Sequence, residues 1–170
     1  NADGSYRYFG AGDIHFSDIN GDNIIDEKDR RVLGSPMPEY YGGFSSKLTY
    51  HRFQLEALFT YAGGNKIFNY LRYRLESASN LDNQLSSVVN RWRAEGQVTN
   101  MPKATYGDPM GNSRFSDRWI EDGSYLRLRH ASVSYALPVK EGFIRNASVY
   151  VTGTNLLTFT KYMGYDPEFS

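Results

Sequence analysis

The chain has 170 residues, and Lys plus Arg equals Asp plus Glu at 19 each, so the formal net charge is zero. That balance argues against a general nucleic-acid binder, which would carry a basic stripe. The absence of cysteine excludes disulfides, thiolate metal sites and a cysteine nucleophile.

Aromatics make up 15% of the residues, yet mean hydropathy is −0.57. No apolar run approaches the ~18 residues of a membrane-spanning helix. Two classes fit: a soluble β-rich domain, or a piece of a membrane β-barrel, where polar and apolar residues alternate. The chain starts Asn1-Ala2-Asp3-Gly4 with no signal segment and ends Asp166-Pro167-Glu168-Phe169-Ser170 as if mid-loop. The expectation is a fragment of a longer protein.

Residues 1–12 are rich in Gly and Tyr without a clear period. Asp13-Ile14-His15-Phe16 then leads into DINGDNIIDEKD at residues 18–29. The Ca²⁺-loop template takes oxygen ligands from positions 1, 3, 5, 7, 9 and 12. These positions are Asp18, Asn20, Asp22, the carbonyl of Ile24, Asp26 (through water) and Asp29. The loop departs from the template in Asn23 at the glycine position and Asp29 at the glutamate position. The alternative is a solvated Asx-rich turn without an ion. Arg31 to Pro38, with two prolines and a Gly-Ser pair, is a turn or extended connection.

Strand patterning follows. Phe44, Leu48 and Tyr50 share one face and Ser45, Lys47 and Thr49 the other. Phe53, Leu55, Ala57, Phe59 and Tyr61 alternate with Gln54, Glu56, Leu58 and Thr60. Only His51-Arg52 separates the two runs, so they form an antiparallel hairpin, although His-Arg is not a favoured turn pair. After Gly63-Gly64-Asn65, about sixty residues lack strand pattern, far beyond an ordinary loop. Within them, Leu81, Leu85, Val88, Val89 and Trp92 make an amphipathic helical stripe, and Ile67, Leu71 and Leu75 a weaker one. Trp92 and Trp119 would pack this segment's own core or stack on a ligand.

Strand pattern returns at 124–137, where Ala131, Val133, Tyr135 and Leu137 alternate with His130, Ser132, Ser134 and Ala136. Residues 138–146 form a turn. In the strand at 147–158, Ala147, Val149 and Val151 face one way and Ser148, Tyr150, Thr152 and Thr154 the other. Short connections on one side and a long one on the other are how outer-membrane barrels are built. Tyr50, Phe53, Tyr135 and Phe143 lie near the short turns, and Tyr61, Phe68, Tyr125, Phe159 and Tyr162 near the long-loop ends, as two aromatic girdles would require. His15, His51 and His130 lack metal-ligand spacing, and no P-loop, GxGxxG or GxSxG stretch occurs.

Four stretches, DINGDNIIDEKDRRVLGSPMPEYYGGF, NRWRAEG, RWIEDGSYLRLRHASVSYALP and VYVTGTNLLTFTKYMGYDPEF, in this order, resemble the C-terminal part of SusC/RagA-type TonB-linked outer-membrane proteins. The resemblance implies an all-β membrane barrel segment, part of a barrel of roughly 22 strands around a plug, in the outer membrane of Bacteroidota. It implies import of glycans, peptides or other large nutrients, a SusD-like surface lipoprotein as lid and TonB as energy source; no motif supports an enzyme, and no enzyme activity is expected. The expected organisation is an extracellular acidic loop at 13–34, a hairpin at 43–62, a long extracellular loop at 63–123 and a second hairpin at 124–158. The plug and TonB-contacting parts lie outside this chain, and its partners are the rest of the barrel, its plug and lipid, with no nucleic acid. The competing reading is a soluble, secreted glycan-binding or adhesion β-domain with structural Ca²⁺. Substrate-binding residues stay unassigned.

Overall fold

The computed structural model describes residues 8–139 and 146–168. It divides into two compact units. One comprises the chain up to Leu33 together with Phe68–Ile120; the other comprises Gly34–Ile67 together with the chain from Glu121 onward.

The second unit is built on a four-stranded antiparallel sheet of β1 (Tyr40–Tyr50), β2 (Phe53–Gly63), β5 (Tyr125–Ala136) and β6 (Ser148–Thr160), in the order β1-β2-β5-β6. A short two-stranded sheet pairs β3 (Lys66–Phe68) with β4 (Ile120–Asp122). β1 and β2 run without a register break from Tyr40↔Gly63 to Tyr50↔Phe53. The turn between them is the two residues His51 and Arg52, and His51 takes a left-handed φ of 52°. This is the conformation that makes Gly or Asn the usual choice in such turns. Much of the turn expected at 138–146, including Phe143, lies outside the described residues.

β5 does not alternate strictly. Its register shifts where Leu58 faces His130 and Phe59 faces Leu128, so Arg129 is an extra residue on the strand. Such a bulge reverses which parity of residue faces which side. Leu126 and Leu128 therefore join Ala131, Val133 and Tyr135 on one face, and Arg127 joins His130, Ser132 and Ser134 on the other. β6 answers the shift with two residues between Thr154 and Leu157. Asn155 there has a φ of 51°, and Leu156 folds back over Gly153, where a Cβ would stand 2.6 Å from its side chain.

The first unit holds its own small core of Ala78, Val88 and Met101, with Trp119 buried nearby in the same unit. Its α-helix, α1, spans Tyr70–Glu76 and is capped by the Asn69 side chain, which accepts from the Arg72 amide at 2.9 Å. So the weaker stripe supplies the helix through Leu71 and Leu75, whereas Ile67 lies in β3. The stronger stripe yields only a 3₁₀ turn at Ser86–Asn90. The reason is local: Ala78 takes a φ of 50°, and Asn80 accepts from the Asp82 amide and donates to its carboxylate. Short polar side chains thereby satisfy backbone that a helix would otherwise claim.

Candidate functional site: the two faces of the sheet

The cross-strand pairs sort the sheet into two surfaces. One carries Phe44, Leu48 and Tyr50 from β1, Phe53, Leu55, Phe59 and Tyr61 from β2, Leu126, Leu128, Val133 and Tyr135 from β5, and Val149, Val151, Leu157 and Phe159 from β6. No paired residue on this face is charged, and its large side chains are largely exposed, with Leu48 at 61% and Val151 at 75%. Burying such an expanse against water-free surroundings is favourable; leaving it in water is not.

Aromatics close both ends of this face. At the short-turn end Tyr50 pairs with Phe53, and Phe53 with Tyr135 at a ring separation of 4.7 Å. At the long-loop end stand Tyr40, Tyr61 and Phe159, with Phe44 stacked on Phe59 at 4.8 Å one rung inward. Phe53 to Tyr61 is eight residue steps along β2. At ~3.3 Å per residue and ~40° tilt this gives about 20 Å of depth, close to the ~25 Å apolar band of a transmembrane barrel. The girdle reading needs correcting in detail. Tyr125 pairs with Ala62 and Thr160 on the opposite face, and Phe68 stacks on Phe115 at 5.2 Å in the first unit. Both residues have the expected position along the chain, but the bulge turns one over and the loop carries off the other.

Tyrosine and glycine interlock at the long-loop end. Tyr40 faces Gly63 and Tyr61 faces Gly42 across the same hairpin. A Cβ on Gly63 would lie 2.3 Å from the Tyr40 hydroxyl, and one on Gly42 2.8 Å from that of Tyr61. Each ring thus covers bare backbone on the neighbouring strand, replacing packing the glycine lacks.

The other face is polar. Lys47 and Glu56 form a 3.0 Å ion pair, Gln54 donates to Glu56 at 2.9 Å and Thr152 donates to Ser132 at 3.0 Å. Arg127 is buried on this side. It donates from Nη1 to Glu168 at 2.7 Å and from Nη2 to Asp166, while Arg129 donates to the second oxygen of Glu168 at 2.8 Å. The bulge aims both arginines at the segment that follows β6. Burial pushes the Asp166 carboxyl up, but the Arg127 hydrogen bond and charge outweigh it and hold the group below its usual range.

In the first unit, residues 10–14 are knotted to 92–112. The Asp13 side chain, 2% exposed, accepts from Lys103 at 3.0 Å, Asn112 at 2.9 Å and the Gly10 amide at 2.9 Å. Gly12, at a φ of 81°, lies against the Trp92 ring, where a Cβ would come within 2.4 Å. Trp119 is 1% exposed, donates to the Arg114 carbonyl at 3.1 Å and lies beneath the guanidinium groups of Arg72 and Arg118. Both tryptophans therefore pack within the loop unit.

The acidic loop is a chain of Asx turns. Asp18 accepts from the Gly21 and Asn23 amides at 2.7 Å each, Asp22 from Ile24 at 2.9 Å and Asp26 from Lys28 at 2.7 Å. Asn20 bonds Asp22 through its amide group. Asp29 accepts from Asp26 and from Ile19, closing the loop, and these two amides hold its carboxyl below the usual range. Asn23 supplies the positive φ, 62°, that a glycine would give. The oxygen-rich donors are of the type Ca²⁺ takes. Among the described residues, however, no three His, Asp or Glu side chains stand together as a ready ligand set.

A sheet that is apolar and uncharged on one face, polar on the other, and ringed by aromatics at both ends defines a segment of a membrane-spanning β-barrel wall. Comparison with known proteins agrees. No family model matches. Two TonB-dependent receptors of Formosa agariphila are similar: P3 at 35% identity over 90% of this chain, and P26 at 36% over 94%. This chain covers 15% and 16% of those receptors. The RagAB peptide importer in its closed-closed state matches 82% of the chain with a TM-score of 0.71 and 33% identity, and the chain covers 16% of that structure's chain. The chain is a homologue of a barrel segment of SusC/RagA-type TonB-dependent receptors, which are outer-membrane proteins.

Proposed function

We propose that the chain is a wall and extracellular-loop segment of a TonB-dependent outer-membrane importer of glycans, peptides or other large nutrients. It contributes passage and enclosure, not covalent chemistry. The observation that carries this reading is the apolar face, uncharged across four strands and bounded by aromatics. β1 and β6 each pair on one side only among the described residues. Lipid does not permit such unpaired edges, so neighbouring strands of the same barrel would cover them. Residues 51–52 and 138–146 would then face the periplasm, and 13–34 and 63–123 the exterior. The polar face would line the lumen or meet the plug. The long loop would help form the outer cavity and meet a SusD-like lid, while TonB acts through other parts of the receptor.

Spin labels on the intact receptor in liposomes test this. Labels at Leu55 and Val133 should collide with lipid-soluble oxygen, and labels at Glu56 and Ser132 should not. Equal access of aqueous reagents to both faces would favour the soluble β-domain instead.

The acidic loop supports a separate proposal, a structural Ca²⁺ held by Asp18, Asn20, Asp22, the Ile24 carbonyl, Asp26 and Asp29. Its support is the chain path: position 1 bonds the amide of position 6, and position 12 bonds back to Ile19. Each carboxylate also has about four acceptor sites, more than its amide partners use. Calorimetry on the intact receptor should show binding near ~10⁻³ M or tighter. No heat at that concentration would leave only the polar turn.

A further inference from the structure

Two buried polar atoms on the polar face of the sheet find no hydrogen-bond partner among the described residues, and they are neighbours. One is Oγ1 of Thr60 in β2; the other is Nε of Arg127 in β5. Thr60 and Arg127 stand directly opposite each other in the β2–β5 register and belong to the same compact unit. Side chains at opposed positions rise from one face with their Cβ atoms about 5 Å apart.

The surroundings orient both atoms. On its other side Thr60 is opposed by Gly43 of β1. A Cβ on Gly43 would stand 3.6 Å from the Thr60 methyl, and the Thr60 hydroxyl oxygen does not come within 4 Å of it. The methyl is therefore turned toward β1, and the hydroxyl lies on the side away from β1, where β5 carries Arg127. Arg127 commits Nη1 to Glu168 and Nη2 to Asp166. Its side chain is 3% exposed, so bulk solvent does not serve the remaining N–H on Nε. A buried donor left unpaired is costly, and native interiors satisfy such groups with protein or with ordered water.

We infer that one internal water molecule bridges Thr60 and Arg127. It accepts from Nε of Arg127 and shares a hydrogen bond with the Thr60 hydroxyl, which can donate or accept. Buried waters are held by roughly two to four polar partners, and these two groups supply the minimum. A neutral occupant suits the site. Arg127 and Arg129 are matched within the clamp by Asp166 and Glu168, so a bound ion would add uncompensated charge to a buried place. The bridge joins β2 to the clamp between β5 and the segment after β6. Thr60 is thereby a positioning residue that acts through Arg127 on Asp166. The inference rests on the register of the sheet and not on the membrane reading.

Thr60→Val in the intact receptor tests it, because a bridged hydroxyl and a dry one predict opposite signs. Removing a dry, unpartnered hydroxyl is neutral or stabilising, whereas removing one arm of a water bridge leaves the water and the Nε–H poorly held. The readout is the Glu168 amide, which donates to Asp166 at 2.9 Å and so reports on the clamp. Thr60→Val should speed hydrogen exchange there about fivefold and lower the thermal midpoint. Thr60→Ser, which keeps the hydroxyl, should exchange at the unaltered receptor's rate. Heat-modifiable electrophoretic migration, read in parallel, reports whether each variant forms its barrel. Independently of any variant, a density map of the unaltered receptor fine enough to show ordered solvent should hold one peak about 2.7–3.2 Å from both Oγ1 and Nε. Unchanged or slower exchange in a heat-modifiable Thr60→Val variant, a raised midpoint, a direct Thr60–Arg127 hydrogen bond in the map, or no solvent peak between them would each overturn the inference.

Discussion

Arg127 of β5 reaches Glu168 across 41 residues of sequence, with Nη1 2.7 Å from the carboxylate. Its side chain is 3% exposed, so the ion pair fixes where the chain goes after leaving β6. Removing one partner of a buried pair leaves the other uncompensated, which costs more than the pair itself contributes. Arg127→Met in the intact receptor is expected to loosen residues 161–168, with a local destabilisation of about 3 kcal/mol. Hydrogen exchange read by mass spectrometry checks this. Arg127→Lys should restore only part of the protection, because an ammonium cannot fork to two carboxylates.

The bulge at Arg129 gives a second expectation. Deleting Arg129 would restore strict alternation and place either Arg127 and Tyr125, or Ala131 and Val133, on the wrong face. An arginine on the lipid face costs about 2–4 kcal/mol at the midplane and less near the interface. Deletion should therefore sharply lower the yield of heat-modifiable barrel, whereas Arg129→Ala, which keeps the residue count, should retain it.

The Tyr40–Gly63 pair is testable by a double-mutant cycle. Gly63→Ala pushes a methyl into the Tyr40 ring and should destabilise by about 1–3 kcal/mol. In Tyr40→Ala the same change should cost much less, because the obstructing ring is gone. The thermal midpoint of the purified receptor, compared across all four combinations, measures the coupling. An additive result would mean that the ring does not cover the glycine.

Acid should undo the Asp13 knot. Burial pushes the Asp13 carboxyl up, but hydrogen bonds from Asn112, the Gly10 amide and Lys103, with the Lys103 charge, bring it below the usual 3.8. A depressed folded-state value means the stabilisation is complete above the unfolded value and is lost as pH falls through the folded one. Exchange at the Ile14 and Lys103 amides should stay slow at pH 5, after correction for intrinsic rates, and rise as pH drops below about 4. Asp13→Asn should remove that dependence.

The hairpin of β1 and β2 was legible because Phe53 to Tyr61 alternate without interruption and one face of each strand is apolar. Between Gly63 and Ser124 no strand pattern was visible, yet β3 and β4 lie there; each has three residues, too few to show an alternation. The helix was misplaced because periodicity at Leu81–Trp92 says nothing of the Asn80 and Asp82 side chains that turn the chain locally. The Arg127 clamp went unread, although it has a signal: apolar residues are even-numbered at Leu126 and Leu128 and odd-numbered at Ala131 and Val133. Its acidic partners lie about forty residues away, and no local pattern links them to the arginine. The tyrosine–glycine pairs depend on register, which is not visible until both strands are aligned. For the acidic loop, spacing identified the oxygen donors, but the backbone amides that engage them could be found only from the folded path.

The bulge also divides β5 into two reading frames. Before residue 129 the odd positions tolerate charge and the even positions must be greasy; after it the rule inverts. A given substitution would thus have opposite consequences a few residues apart on a single strand. A lysine at 127 is admissible and one at 133 is not, although both numbers are odd. Substitution scanning along this strand should show tolerance that changes phase once, at Arg129.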